Sequence, residues 1–181
     1  MTKSNYRAES WTPAQNEAAK IGLPIEFVAA DVLNLPFADR TFDFVFSNGV
    51  LHHTRSWRAG LAEYGRVMKH SGYLYLYGSG GLFWQTRAVL RQMFKAIPRD
   101  YAAAVLAMIG MPPNRFIFMD NWYVPIEDHV VGAELAAELA ARGLDHRPLP
   151  SLVPSDPGAG LGLPNGTLVW GEGEHRYLVF R

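Results

Sequence analysis

Two apolar runs in this chain each end on a polar residue that could hold a ligand. Ile25 to Ala29 is followed by Asp31, and Phe42 to Ser47 by Asn48. Where parallel strands make an open sheet, ligands bind beyond the carboxyl ends of those strands. A carboxylate there can accept a hydrogen bond from an adenine amino group, and the backbone amide of Val32 can donate to a ring nitrogen. His52 and His53 follow closely. A neutral imidazole can serve as a general base near pH 7. The adjacent pair also suggests a metal, yet no third ligand stands at a metal-binding spacing, so no metal is expected. Gly78-Ser79-Gly80-Gly81, between a strand and a helix, has the setting of a dinucleotide-binding turn. Its sixth position is Phe83, too bulky for the close packing such a turn needs, which leaves a dinucleotide-binding protein as a minor alternative.

The elements that must position these residues are legible in outline. Pro13 and Ala14 to Ile21 read as a helix closed by Gly22. Ile25–Ala29 and Phe42–Ser47 read as strands, the second apolar nearly throughout, as in a parallel strand covered on both faces. Thr54 or Ser56 can cap a helix whose apolar residues Trp57, Leu61, Tyr64 and Met68 recur at helical spacing, with Lys69 and Gly72 as stop signals. Tyr73 to Tyr77 is a third strand. Phe83 to Ile97, Tyr101 to Ile109 and Gly132 to Arg142 follow as helices. Pro148 to Gly166 reads as a loop, and Thr167–Trp170 with Arg176–Phe180 as a hairpin. Strand, helix, strand in this order implies a βαβ unit and a parallel sheet. Arg87, Arg91 and Lys95 form an i, i+4, i+8 stripe expected to be a solvated face.

From Ile25 to Tyr77 the chain resembles class I S-adenosylmethionine-dependent methyltransferases, and within them the type 11 methyltransferase domains. The matching residues are Phe27 to Asp31, Leu35-Pro36-Phe37, Phe42-Asp43-Phe44-Val45, Leu51-His52-His53, Glu63, Arg66-Val67 and Gly72 to Leu76. The resemblance implies an α/β fold: a partial Rossmann-like sheet, mostly parallel, with an antiparallel C-terminal hairpin and without the family's first two strands. It implies S-adenosylmethionine as cofactor, with Asp31 and Val32 at the adenine and Asn48 beside the methionine part. It places an acceptor lid over the region of Phe116, Phe118, Trp122 and Tyr123, with Glu127-Asp128 beside it. His52 and His53 are the weak catalytic candidates, because methyl transfer from a sulfonium needs mainly proximity and alignment.

The family's glycine-rich first turn and the acidic residue of its second strand belong upstream of Pro13, and the first twelve residues carry neither. Residues 1–181 are therefore expected to form one methyltransferase-like domain truncated at its N-terminus, with 98–147 as an acceptor-side insertion or lid. Two functions follow. One is methyl transfer to a small molecule. The other is a non-catalytic paralogue acting as an interaction module, binding a partner chain or itself through an open sheet edge.

Length and composition agree with one globular domain. The chain has 181 residues, 49% hydrophobic and 19% charged. Seventeen basic and seventeen acidic residues cancel, which argues against nucleic acid or an anionic membrane as partner. No cysteine is present, so disulfides and thiolate chemistry are excluded. With no apolar signal core and no stretch long enough to span a bilayer, a soluble, cytoplasmic location is expected.

Overall fold

Thr12–Lys20 form helix α1, and Gly22 ends it in the left-handed region at a φ of 69°. The computed structural model describes residues 12–79, 84–111, 119, 122–128, 130–149 and 174–181. The run Ile25–Ala29, expected as the first strand, joins no sheet. Ile25 is 52% exposed and Val28 40%. A short apolar run becomes a strand by pairing and by burying its side chains, and no neighbouring strand among the described residues offers either.

The chain next forms β1 (Phe42–Asn48), a 3₁₀ turn (Leu51–His53), α2 (Trp57–Val67) and β2 (Met68–Ser79). Ser56 caps α2, its hydroxyl accepting from the Ala59 N–H at 3.3 Å. Lys69-His70-Ser71-Gly72, expected as the end of α2, already belongs to β2. Met68 leaves the helix in extended conformation and is fully buried, so burial rather than propensity sets this boundary. β1 and β2 pair in parallel from Phe44↔Tyr73 to Asn48↔Tyr77, with a register shift between Phe42 and Phe44. This is the expected βαβ unit.

Helices α3 (Trp84–Lys95), α4 (Arg99–Met108) and α5 (Gly132–Ala141) follow, then β3 (Asp145–Pro148) and β4 (Glu174–Phe180). The strand order is β1-β2-β4-β3. β4 runs antiparallel to both β2 and β3, so the four-stranded sheet is mixed, with one parallel ladder and two antiparallel ones. The α/β class holds, but among the described residues the expected parallel majority does not form, because Ile25–Ala29 adds no ladder. The expected antiparallel strand Arg176–Phe180 exists as β4 and lies inside the sheet. Its neighbour is Asp145–Pro148, in a stretch not read as a strand. The other arm of the expected hairpin, Thr167–Trp170, lies outside the described residues.

One face of the sheet carries the core. Leu74 and Leu76 of β2 and Val179 of β4 pack with Trp57, Leu61 and Tyr64 of α2 and Leu135 and Leu139 of α5. The other face shows Phe44 at 55%, Phe46 at 65% and Tyr73 at 50% exposure. Among the described residues no helix is long and apolar enough to cross a membrane.

Candidate functional site

The carboxyl end of the β1–β2 pair is built around Gly49. Its φ of 73° lets the chain turn out of β1 while its N–H donates to the Tyr77 carbonyl at 3.3 Å. A Cβ at Gly49 would meet the rings of Tyr77 and His52 only at ordinary van der Waals distance, so the positive φ is what favours glycine there. Asn48, the last residue of β1, is exposed at this end.

His52 is 6% exposed, with its ring edge-on to Tyr77 at 6.4 Å and 4.1 Å from the His53 ring. Burial, then the neighbouring His53 and Arg87, push its imidazole pKa down to about 4. His53 is exposed, and its Nδ1 lies 3.0 Å from the Ile126 carbonyl. A carbonyl only accepts, so Nδ1 carries the proton and Nε2 is the basic nitrogen.

Asp31 begins a tight turn. Its carbonyl accepts from the Asn34 N–H at 2.9 Å, and its Oδ1 accepts from the Leu33 N–H at 2.9 Å. The side chains of Val32 and Leu33 stand with Leu51 around the Gly60 Cα. The Asp31 turn thus packs against the 3₁₀ turn that follows β1, and the two sequence-expected elements of a cofactor site are neighbours. Residues 23–30, just before Asp31, form no strand, so a turn presents its carboxylate. That carboxylate caps the turn and, with two oxygens, retains acceptor capacity.

The loop after this turn is braced from α2. Glu63 accepts from the Leu35 N–H at 2.8 Å. Arg66 donates to the carbonyls of Phe37 at 2.7 Å and Leu35 at 3.0 Å.

Of the stripe expected to be a solvated face, Lys95 is exposed, but Arg87 and Arg91 are not. Arg87, Leu90, Arg91 and Phe94 point inward, while Val89 and Met93 are 63% and 62% exposed. The inversion has an electrostatic cause: the Glu127 carboxylate pairs with both guanidinium groups on the inward face. Arg87 bonds one carboxylate oxygen and Arg91 the other, at 2.9 Å, and Arg91 also donates to the Val124 carbonyl at 2.6 Å. The segment carrying Glu127 is tied to the histidine turn by Asp128 N–H to His52 carbonyl at 2.8 Å. Sequence spacing could not join Arg87 to a residue forty positions away. The only signal was the presence of opposite charges on both segments.

Trp122 and Tyr123 pack on α3. The Trp122 ring stacks on Phe94 at 4.9 Å, and the Tyr123 hydroxyl donates to the Ile97 carbonyl at 3.1 Å. Phe116, Phe118, Gly80 and Gly81 lie outside the described residues. Among the described residues, no cluster of three or more His, Asp or Glu could hold a metal ion.

Comparison with known proteins identifies the scaffold. A family model described as a methyltransferase domain matches residues 2–76. The demethylmenaquinone methyltransferase of Corynebacterium urealyticum is 29% identical over 124 residues, covering 67% of this chain and 50% of that protein. The chain thus spans about half the length of this curated relative. The YcgJ protein of Bacillus subtilis superposes with a TM-score of 0.57 at 14% identity, over 96% of this chain and 76% of its own. PKMT2 of Rickettsia typhi, in complex with AdoHcy, superposes with a TM-score of 0.62 at 11% identity, over 97% of this chain and 42% of its own. With the four-stranded mixed sheet, these matches make the chain similar to class I S-adenosylmethionine-dependent methyltransferases, in sequence over residues 2–76 and in fold over most of its length.

Proposed function

We propose that the protein transfers a methyl group from S-adenosylmethionine to a small molecule. The observation that carries this reading is the packing of the Asp31 turn against the turn after β1, beside Asn48. When bound, S-adenosylmethionine supplies an electrophilic methyl on a sulfonium. Asp31 would accept from the adenine amino group, the Val32 amide would donate to a ring nitrogen, and Asn48 with the Gly49 turn would line the methionine side. These residues bind and orient, which is most of what a displacement at a methyl requires.

Where an acceptor must lose a proton, the geometry favours His53 over His52. His52 is buried, and its lowered pKa makes it a weak base. His53 is exposed with Nε2 basic. Trp122 and Tyr123 would stand on the acceptor side. The lid would then be the Val124–Asp128 segment, held to α3 and to the histidine turn, rather than all of 98–147. Calorimetry of S-adenosylmethionine and S-adenosylhomocysteine against the protein tests the reading. Saturable binding of both is expected, and binding of neither overturns it.

A second reading, an interaction module, is supported by the outer edge of β1. Among the described residues β1 pairs only with β2, and its Phe44 and Phe46 are exposed. Such an edge can add a strand from a partner chain or a second copy. Sedimentation separates the readings: a self-associating chain without donor binding favours the module.

A further inference from the structure

Ser47 and Tyr64 form a hydroxyl pair inside the core. Ser47 is the second-last residue of β1 and is 1% exposed; Tyr64 lies on α2 and is 6% exposed. The Ser47 Oγ donates to the Tyr64 hydroxyl oxygen at 3.1 Å. The Tyr64 ring packs in one cluster with Leu51, Leu61, Leu74 and Leu76. Burial pushes its phenol pKa up, so the hydroxyl stays neutral. A buried polar pair adds little net stability over an apolar pair of the same shape. What it adds is geometry, because a hydrogen bond selects one arrangement where apolar contact tolerates several.

The pair stands at a telling place. Ser47 immediately precedes Asn48 and the Gly49 turn. The β2 ladder, through Ser47↔Leu76 and Asn48↔Tyr77, fixes this strand end within the sheet. The bond to Tyr64 fixes it across the layer, against α2. The same helix seats the other arm of the candidate site. At Gly60, one turn before Tyr64, the side chains of Val32 and Leu33 come within 3.9 and 3.7 Å of where a Cβ would lie. A ligand reaching from Asp31 to Asn48 therefore meets two arms whose separation is set from one helix.

We propose that Ser47 and Tyr64 are positioning residues for the amino-acid end of the donor: their bond holds Asn48 and the Gly49 turn at the distance from the Asp31 turn that the donor needs. The proposal rests on the methyl-transfer reading. Both hydroxyls are buried, so they act through Asn48 and not on the donor itself.

The test is calorimetry of S-adenosylhomocysteine and of methylthioadenosine, which lacks the amino-acid end. Four chains are compared: native, Tyr64→Phe, Ser47→Ala and the double variant. Each single change leaves a buried hydroxyl without its partner and should lower the unfolding midpoint. The double variant removes both groups and should recover most of that loss. Affinity for S-adenosylhomocysteine should not recover with it. Its Kd in the double variant is expected to be about fivefold or more above native, because small misplacements of positioning groups are costly. Methylthioadenosine should bind all four chains alike. Affinity that returns with stability in the double variant, or native affinity throughout, overturns the proposal and leaves the methyl-transfer reading standing. Equal losses for the two ligands also overturn it, since the pair would then shape the whole pocket. A native chain that binds neither ligand overturns both. Should the double variant not fold, Tyr64→Phe, which keeps the ring, decides by the same contrast between the two ligands.

Discussion

Glu63 and Arg66, one turn apart on α2, meet through two parallel hydrogen bonds, Nε to Oε1 and Nη2 to Oε2, each 2.8 Å. The pair faces a loop, not a ligand. Glu63 also holds the Leu35 N–H, and Arg66 holds the carbonyls of Leu35 and Phe37 and the Asp39 carboxylate. The Arg66 hydrogen bond keeps the Glu63 carboxyl below its usual range. Residues that resemble a family signature therefore act here by fixing the loop that follows the Asp31 turn.

Glu63→Gln should cost about 1–2 kcal/mol, the lower part of the range for charged hydrogen bonds because the pair is partly exposed. Arg66→Lys loses the fork and with it the simultaneous hold on two carbonyls. In both variants the amides of Leu35 and Arg40 should exchange faster, while those of β2 and β4 stay protected. Unchanged exchange at Leu35 would remove the bracing role.

The parts of the fold readable from the sequence were those with local causes. The Ser56 cap, the 3.6-residue rhythm of Trp57, Leu61 and Tyr64, and Gly22 after α1 each act within a few residues. What escaped depended on distant partners. Ile25–Ala29 has the composition of a strand but pairs with no strand among the described residues. Asp145–Pro148 is charged and short, and it is a strand because β4 lies beside it. The same division holds at the site. The Asp31 turn and the Gly49 turn are local, whereas the meeting of Arg87 and Arg91 with Glu127 is created by tertiary packing alone.

Gly72 is a packing requirement of the irregular start of β2. A Cβ there would lie 2.8 Å from Met68 Cγ and 3.0 Å from the carbonyl oxygens of Asp43 and Lys69. The side chain could shift, but two backbone oxygens cannot do so without moving both strands. Gly72→Ala should therefore destabilise by about 1–3 kcal/mol, exceeding the roughly 0.4–1 kcal/mol that lower unfolded-state entropy returns. Denaturant unfolding measures this. A stabilised variant would mean that β1 and β2 part easily at this point.

Stability should fall with acid through His52. Its pKa is about 4 in the folded chain against 6.5 for the ordinary imidazole. Between those values the unfolded chain binds the extra proton, so stability rises with pH across that window. The contribution is complete above pH 6.5 and lost as pH falls toward 4, about 3 kcal/mol in all. Glu63, with its lowered pKa, adds a loss in the same direction that begins nearer the ordinary carboxylate range. Unfolding free energies at pH 7, 5.5 and 4 for the native chain and His52→Gln test this. The native slope between pH 6.5 and 4 should flatten in the variant, and an equal slope would place the titrating group elsewhere.

Asp31 has a structural task and a proposed ligand task, and one substitution separates them. Its Oδ1 accepts from the Leu33 N–H, which the amide oxygen of Asn can also do. Asp31→Asn should therefore keep the turn and leave the melting temperature nearly unchanged. The second oxygen becomes an NH₂ group, which cannot accept from an adenine amino group and would set two donors against each other. Loss of one hydrogen bond to a charged group, at about 1.5–3 kcal/mol, corresponds to roughly a tenfold or larger rise in the donor's Kd. The single-turnover rate at saturating donor should change little, because the adenine is remote from the reacting methyl. Trp122→Phe, which preserves an aromatic stack on Phe94, should do the reverse, altering acceptor KM with donor affinity nearly intact. If Asp31→Asn folds like the native chain and binds S-adenosylhomocysteine equally well, Asp31 caps a turn and nothing more, and the adenine must lie elsewhere.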